Sequence, residues 1–220
     1  MESVQFRPGS TSEIDPLRTG AVLSVDLGFS NSSKSTGLAY KLPGSAIRQQ
    51  NVRFGACLTL LAELLLGHSR AVLILEAPLS GLFSENGNPV ARGEFERRSL
   101  QSKTGRHWYL GAGAATCLAS VFFLRKLESS LKASGRKCEV ILYEGFLTFK
   151  AKRTDHARDA RLLLDSFLGL HECSTITVVP EQGQTVVSVL DVVRSGESDQ
   201  PAPATIAPAQ IQQGNVDLIV

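Results

Sequence analysis

Hydrophobic residues along the chain fall into short runs of strand length and longer stretches of helical spacing, which alternate through most of the sequence. The strand-like runs are 21–28, 35–42, 71–77 and 138–146, with a weaker one near 49–54. The helix-like stretches are 54–67, 108–135 and 154–169. Strands separated by helices imply parallel crossovers, whereas adjacent early strands can form antiparallel hairpins. The order predicts a mixed α/β sheet with helices on its faces.

Both ends of the chain are less regular than this middle part. Residues 1–19 are polar and contain two prolines, which predicts a flexible N-terminal arm. Residues 195–220 are mostly rich in Ser, Pro, Ala and Gln, which predicts a largely disordered tail. Between them, 20–194 is of a length that suits one domain. Runs 174–180 and 184–193 are predicted to pair as a hairpin at its end.

The charges are unevenly distributed, although the formal net charge of the chain is only +2. Residues 197–220 contain three acidic residues and no Lys or Arg, so the remainder of the chain is more basic. Cationic clusters lie at Arg92, Arg97, Arg98, Lys103 and Arg106, and at Lys150, Lys152 and Arg153. Clusters of this kind suit an anionic partner. The segment 78–107 is too long for an ordinary connection, which predicts a functional loop or an insertion.

The cysteines and the apolar runs bear on the cellular setting. Cys57, Cys117, Cys138 and Cys173 lie far apart without a C-x-x-C pair, which predicts free thiols instead of disulfides or zinc ligands. The N-terminus shows no apolar core of a signal peptide, and no apolar run reaches about 18 residues. We therefore expect a reducing, cytoplasmic setting without a membrane partner.

Acidic residues end three of the predicted strands. Asp26, Glu76 and Glu144 each follow an apolar run, although burying a carboxylate without a partner costs several kcal/mol. In open α/β sheets, ligands gather at the carboxyl ends of parallel strands. If strands 21–27 and 71–76 are neighbours, Asp26 and Glu76 meet at that edge. Carboxylate oxygens there suit Mg²⁺ or Mn²⁺.

The last predicted helix opens with a concentration of ionisable groups. Thr154 can cap it, and Asp155 would then lie in the first turn, where the helix dipole favours a negative charge. Asp155 and Asp159 are four residues apart, and His156 and Asp159 are three apart, so either pair can converge on one point. Converging groups of this kind require a cation, a proton or solvent between them. The alternative is a dipole-compatible Asp155 with solvated neighbours.

Three pieces of the sequence, "SVDLGFSNSSKSTGLAY", "LILEAPLSG" and "DHARDARLLL", together resemble the RuvC-type branch of the RNase H fold. The ordered pieces "EAPLSG…ARGEFERR", "LYEGFLTFK" and "DHARDA" are similar to a family of uncharacterised, predicted RNase H-like nucleases. The resemblance covers about residues 21–169. It implies an RNase H-like mixed sheet and a metal-dependent endonuclease that hydrolyses phosphodiester bonds of DNA or RNA with two Mg²⁺ or Mn²⁺ ions.

The resemblance also implies a role for each acidic position. Asp26 would be the central ligand of both metals, Glu76 the second acidic ligand and Asp159 the ligand from the late helix. His156 occupies the partner position, and Asp155 is an additional acid that could replace it. Glu144 lies where relatives often carry an acid. The implied catalytic residues are Asp26, Glu76, His156 and Asp159, and the implied metal ligands are Asp26, Glu76, Asp155, Asp159 and Glu144.

Basic and aromatic side chains would then bind the nucleic acid. The residues expected to hold its phosphate backbone are Arg97, Arg98, Lys103, Arg106, Lys150, Lys152 and Arg153. Trp108 and Tyr109 could stack on bases, although residues of this type also anchor a helix in a core.

Two other functions fit parts of the sequence. Sugar kinase and actin-like ATPases also begin with strand–Asp-x-Gly, and "DLGFSNSSKSTG" resembles their phosphate-binding hairpin. Those proteins usually contain two such domains, whereas 220 residues hold one. A non-catalytic RNase H-like module could instead bind nucleic acid or protein, and its C-terminal segment would suit a homodimer or a larger assembly. A requirement for divalent ions separates this binding module from the two enzymes.

Overall fold

The computed structural model describes residues 4–28, 33–96, 112–147 and 155–194. Its strands are β1 Val4–Pro8, β2 Ala21–Asp26, β3 Thr36–Lys41, β4 Arg48–Val52, β5 Arg70–Glu76, β6 Ser80–Ser84, β7 Pro89–Val90, β8 Cys138–Glu144 and β9 Gln184–Ser188. Its α-helices are α1 Ile14–Leu17, α2 Phe54–Leu66, α3 Ala112–Ala133, α4 His156–Phe167 and α5 Val189–Arg194. Two short 3-10 helices cover Thr11–Glu13 and Glu94–Glu96.

The main sheet has six strands in the order β1-β8-β5-β2-β3-β4. Strands β1, β8, β5 and β2 run parallel to one another, and β3 is antiparallel to β2 and β4. The early strands thus form antiparallel hairpins, and the later strands join in parallel after helical crossovers. The predicted mixed α/β sheet is confirmed.

Alternate side chains of the sheet enter two separate cores, as the period of two along a strand requires. Leu23 and Val25 of β2 belong to the core that includes side chains of α2, α3 and α5. Val22 belongs to the core on the opposite face, with Leu164 and Phe167 of α4. Helices therefore cover both faces of the sheet. Within the described ranges, no helix combines the length and the apolar character needed to cross a membrane.

The segment 78–107, which the sequence marks as a long loop, contributes two strands to a second, smaller sheet. Its order is β7-β6-β9, and both pairings are antiparallel. The predicted hairpin of 174–180 with 184–193 is wrong, because 174–180 contains no strand and β9 pairs with β6 instead. Residues 189–194 form α5, since Val189, Leu190 and Val193 bury one helical face in the core.

The N-terminal residues are part of the main sheet, so the prediction of a flexible arm over 1–19 is wrong for the residues that are described. Strand β1 pairs with β8, and the alternating Val4 and Phe6 are buried. Ile14 reaches the core beneath α4. The prolines of this segment indicate an irregular arm, whereas the structure has a strand of five residues there, at the edge of the sheet. The predicted tail 195–220 lies outside the described residues.

All four cysteines are free, as the sequence predicts. Cys57 and Cys138 are buried, and burial raises their pKa values to about 12 and about 11. Cys117 is half-buried and Cys173 is exposed. The buried thiols act as small apolar side chains of the core.

The ion pairs of Arg7 give a test of how the N-terminal segment docks. Arg7 lies 2.7 Å from Glu13 and 2.7 Å from Glu139 of β8. Hydrogen bonds, first of all from Arg7, lower the pKa of Glu13 from 4.5 to about 2, and those to Glu139 also lower its pKa. Because both pKa values are lowered on folding, their stabilisation is present above pH 4.5 and is lost as the pH falls towards 2.

We predict that Arg7→Met lowers the free energy of unfolding at pH 7 and that this difference from the wild type shrinks as the pH falls from 5 towards 2. Urea unfolding at several pH values measures both quantities. Arg48→Met, at an exposed position of β4, is the control and should change little. A deficit of Arg7→Met that is independent of pH would contradict the ion-pair account.

Candidate metal centre

Asp26 and Glu76 are directly opposite each other at the ends of two neighbouring parallel strands. The register of β2 with β5 pairs Asp26 with Glu76, which confirms the predicted adjacency of these strands. Both side chains share the face of Val22 and Ile74, since they lie an even number of residues from them. That face is the one that α4 covers. The alternation of the strands therefore directs both carboxylates towards α4.

Helix α4 brings the third carboxylate to the same point. Asp159 lies in its first turn and is only 3% exposed, and Asp26 is 7% exposed. One carboxylate oxygen from each of Asp26, Glu76 and Asp159 lies within 4.8 Å of the other two. The three residues come from three separate elements of the fold, so the cluster is a product of tertiary structure.

The chemistry of these donors fits a divalent cation. At about 4 Å and an effective dielectric constant of 20, each pair of like charges costs about 4 kcal/mol. Three carboxylates in such proximity repel one another, and a cation between them reverses the sign of this energy. Hard carboxylate oxygens are the ligands that Mg²⁺ and Mn²⁺ prefer. The cluster of Asp26, Glu76 and Asp159 could therefore hold a metal ion.

A glycine allows α4 to approach the sheet closely beside these acids. Gly37 of β3 pairs with Asp26 across the sheet. A Cβ atom at position 37 would lie 1.8 Å from the carbonyl oxygen of His156, which is too close for any side chain. The first turn of α4 therefore rests directly on the backbone of β3. This contact sets the height of the helix above the strand ends.

His156 lies beside the cluster, at the partner position that the resemblance implies. Its Nδ1 lies 2.8 Å from Oδ2 of Asp26. The His156 side chain is 46% exposed, so the imidazole connects the buried Asp26 carboxylate with the surface. A ring nitrogen that hydrogen-bonds a carboxylate also fixes the orientation of that carboxylate.

Asp155 is not among the clustered acids, contrary to the ligand role that the resemblance implies. It is the N-cap of α4, and its Oδ1 accepts a hydrogen bond from the backbone N–H of Arg158 at 3.0 Å. This hydrogen bond holds the pKa of Asp155 below its ordinary value. The carboxylate is exposed and directed to its own helix terminus. Thr154, the expected cap, lies outside the described residues.

Glu144 is also separate from the cluster, because the register of the sheet pairs it with Leu75 instead of Glu76. The register of β5 with β8 pairs Glu144 with Leu75, which faces the core of α2 and α3. A shift of one residue along a strand directs a side chain to the opposite face. Glu144 is therefore directed away from Asp26 and Asp159, and the expectation of a third strand-end ligand is not met.

On that opposite face, Glu144 forms a partly buried ion pair with Arg92. The Nη1 and Nη2 atoms of Arg92 donate to its two carboxylate oxygens at 2.6 and 2.5 Å, and the N–H of Leu79 donates to Oε2 at 2.8 Å. Arg92 also pairs with Glu96 at 2.7 Å. Burial would lower the pKa of Arg92, but the two carboxylates outweigh this effect and raise it. Arg92 is thus a buried structural cation and not part of a basic surface.

The residues expected to bind nucleic acid belong to two segments of the chain. Positions 97–111 and 148–154 lie outside the described residues. They include Arg97, Arg98, Lys103, Arg106, Lys150, Lys152 and Arg153, together with Trp108 and Tyr109.

Asn51 is a site residue that the sequence did not indicate. It lies on β4 opposite Gly37, and its Oδ1 accepts a hydrogen bond from the N–H of Ala157 at 2.8 Å. The run 49–54 gives only a weak strand signal, and the contact joins residues 106 positions apart. Only the register of the folded sheet places Asn51 beneath the first turn of α4.

Comparisons of the chain with protein-family models, with curated proteins and with solved structures found no match.

The different positions of Glu144 and Glu76 give a paired test. We predict that Glu144→Gln lowers the free energy of unfolding by about 1–3 kcal/mol, because Arg92 loses a charged partner in a buried place. Its affinity for Mn²⁺ should stay within about twofold of the wild-type value. Glu76→Gln, the matched change in the cluster, should instead weaken Mn²⁺ binding at least about tenfold.

Urea unfolding and isothermal titration with Mn²⁺ measure the two effects. A tenfold loss of Mn²⁺ affinity in Glu144→Gln would show that this carboxylate belongs to the metal centre.

Proposed function

We propose that the protein is a metal-dependent nuclease of the RNase H-like type that hydrolyses internal phosphodiester bonds of nucleic acid. The observation that carries this proposal is the convergence of Asp26, Glu76 and Asp159 within 4.8 Å. These residues lie far apart along the chain, and each occupies the end of a strand or the beginning of a helix.

Three of the five metal ligands that the resemblance implies are the residues that the fold brings together. Each of the three motif pieces contributes one member of the cluster, namely Asp26, Glu76 and Asp159. The fourth residue that the resemblance implies, His156, contacts Asp26 at 2.8 Å. The mixed sheet, with antiparallel early strands and parallel later strands, is also what the resemblance implies.

Asp26, Glu76 and Asp159 would hold Mg²⁺ or Mn²⁺, and we extend the proposal to two ions with Asp26 as their common ligand. Divalent ions in such sites supply a deprotonated water and neutralise charge on the attacking and leaving oxygens. The hydrogen bond from His156 would fix the orientation of Asp26. Burial of Asp26 and Asp159 excludes bulk water, so their charges act in a medium of reduced dielectric.

The same cluster argues against a metal-free binding module. A phosphate backbone is anionic, so three adjacent carboxylates would repel it in the absence of a cation. A bound divalent ion converts the same place into an attractive site for phosphate oxygens. The clustering of acids at the carboxyl ends of β2 and β5 therefore favours a metal-dependent reaction with phosphate esters over binding alone.

We predict that Asp26→Asn lowers the rate of cleavage at least about 100-fold, because the central ligand loses its charge while the side chain keeps its shape. The assay uses labelled single-stranded, duplex and branched DNA and RNA with Mg²⁺ or Mn²⁺, and EDTA should abolish the wild-type activity. Circular dichroism and a nucleic-acid binding assay establish that fold and binding persist.

Asp155→Asn is the matched control, since it makes the same change at an exposed acid and keeps the oxygen that caps α4. It should retain most of the activity. Undiminished cleavage by carefully purified Asp26→Asn would refute the nuclease assignment.

A further inference from the structure

The first turn of α4 carries two residues of the metal centre and is capped by side chains from two different elements. The first backbone N–H groups of a helix have no acceptor within the helix. The N–H of Arg158 donates to Asp155, which immediately precedes the helix. The N–H of Ala157 donates to Oδ1 of Asn51, on the edge strand β4. The second cap ties the helix terminus to the main sheet.

Asn51 belongs to a row of positions that crosses four strands of the sheet. The row runs from Glu76 through Asp26 and Gly37 to Asn51, by direct register pairs. Residues directly opposite one another lie on the same face of a sheet, which here is the face beneath α4. The row therefore supplies two carboxylates, a glycine that leaves space for the helix backbone, and an amide that accepts a hydrogen bond from the helix. Asn51 also donates from Nδ2 to Oδ1 of Asp155 at 3.4 Å.

The position of α4 determines where its metal-centre residues lie. Asp159 and His156 are three residues apart on one helix, so a rotation or shift of that helix moves both relative to Asp26. Gly37 sets how closely the helix approaches, but a glycine provides no directional bond. At the other end, Nε of Arg18 donates to the carbonyl oxygen of Phe167 at 2.8 Å. Asn51 supplies the corresponding directional contact at the end that carries the metal centre.

We propose that Asn51 is a positioning residue of the metal centre: it fixes the first turn of α4 so that Asp159 and His156 meet Asp26 in the geometry that binds the divalent cation. This inference rests on the proposed function of the acidic cluster. Residues that orient metal ligands without contacting the metal typically contribute roughly 10–100-fold in metal affinity. Asn51 acts less directly than such residues, because it accepts a hydrogen bond from the backbone of the helix that carries Asp159.

The test compares two substitutions of Asn51 that differ in whether an oxygen remains to accept the Ala157 N–H. Asn51→Leu has a similar size and no acceptor, whereas Asn51→Asp keeps Oδ1. The second change is combined with Asp155→Asn, so that an amide still faces a carboxylate between these two positions. Gln50→Leu, at the neighbouring exposed amide on the opposite face of β4, is the matched control. Isothermal titration gives the Kd for Mn²⁺, and NMR hydrogen exchange of the Ala157 amide in the metal-free protein reports on the cap.

We expect Asn51→Leu to raise the Kd for Mn²⁺ about tenfold or more and to speed exchange of the Ala157 amide. The double variant Asn51→Asp/Asp155→Asn and the single variant Gln50→Leu should each keep a Kd within about threefold of the wild type. Asn51→Ala, which removes the acceptor without adding bulk, should reproduce the effect of Asn51→Leu if the latter folds poorly. A role in stability alone would not give this dependence of metal affinity on the acceptor oxygen.

Two results would overturn the inference in distinguishable ways. If the wild type binds Mn²⁺ and both Asn51→Leu and Asn51→Ala bind it equally well, Asn51 has no positioning role, and the proposed function stands. If the wild type does not bind Mn²⁺ at all, the proposed function fails and the role of Asn51 fails with it.

Discussion

Electrostatic repulsion among Asp26, Glu76 and Asp159 is the constraint on which the account of this protein depends. The fold holds an oxygen of each within 4.8 Å of the others, and Asp26 and Asp159 are largely removed from water. Such an arrangement opposes folding unless a compensating charge is present. The three residues lie on β2, β5 and α4, which are held together by the register of the two strands and by the close contact of the helix with Gly37. A divalent cation between the three carboxylates would remove this repulsion, and it is the cation that the proposed function requires.

The arrangement follows from simple rules of sheet geometry. Parallel pairing of β2 with β5 brings Asp26 beside Glu76, and alternation directs both to the face of α4. The same alternation sends Glu144 to the opposite face, where it neutralises Arg92. A difference of one residue in register thus separates the carboxylate of Glu76, which belongs to the acidic cluster, from that of Glu144, which pairs with Arg92. Gly37 completes the geometry, since the absence of a side chain lets the first turn of α4 reach the strand ends.

The grouping of Asp26, Glu76 and Asp159 could be predicted because each marks the end of a hydrophobic run or the start of an amphipathic helix. The exclusion of Glu144 could not, because the face of a strand residue depends on a register that the sequence does not state. Asp155 was misassigned for a local reason, since a carboxylate near a helix start serves equally well as a cap. Asn51, strand β1 and the pairing of β9 with β6 escaped prediction, because the partners are distant in sequence and the hydrophobic patterns are short.

Anomalous diffraction from a crystal grown with Mn²⁺ is the decisive experiment, because it locates the ion without reference to activity. We expect a strong anomalous peak about 2 Å from carboxylate oxygens of Asp26, Glu76 and Asp159, with Glu144 still paired to Arg92. A second peak that shares Asp26 would support the two-ion form of the proposal. Absence of any peak at this cluster under saturating Mn²⁺, or side chains of Asp26, Glu76 and Asp159 directed to different places, would contradict the account.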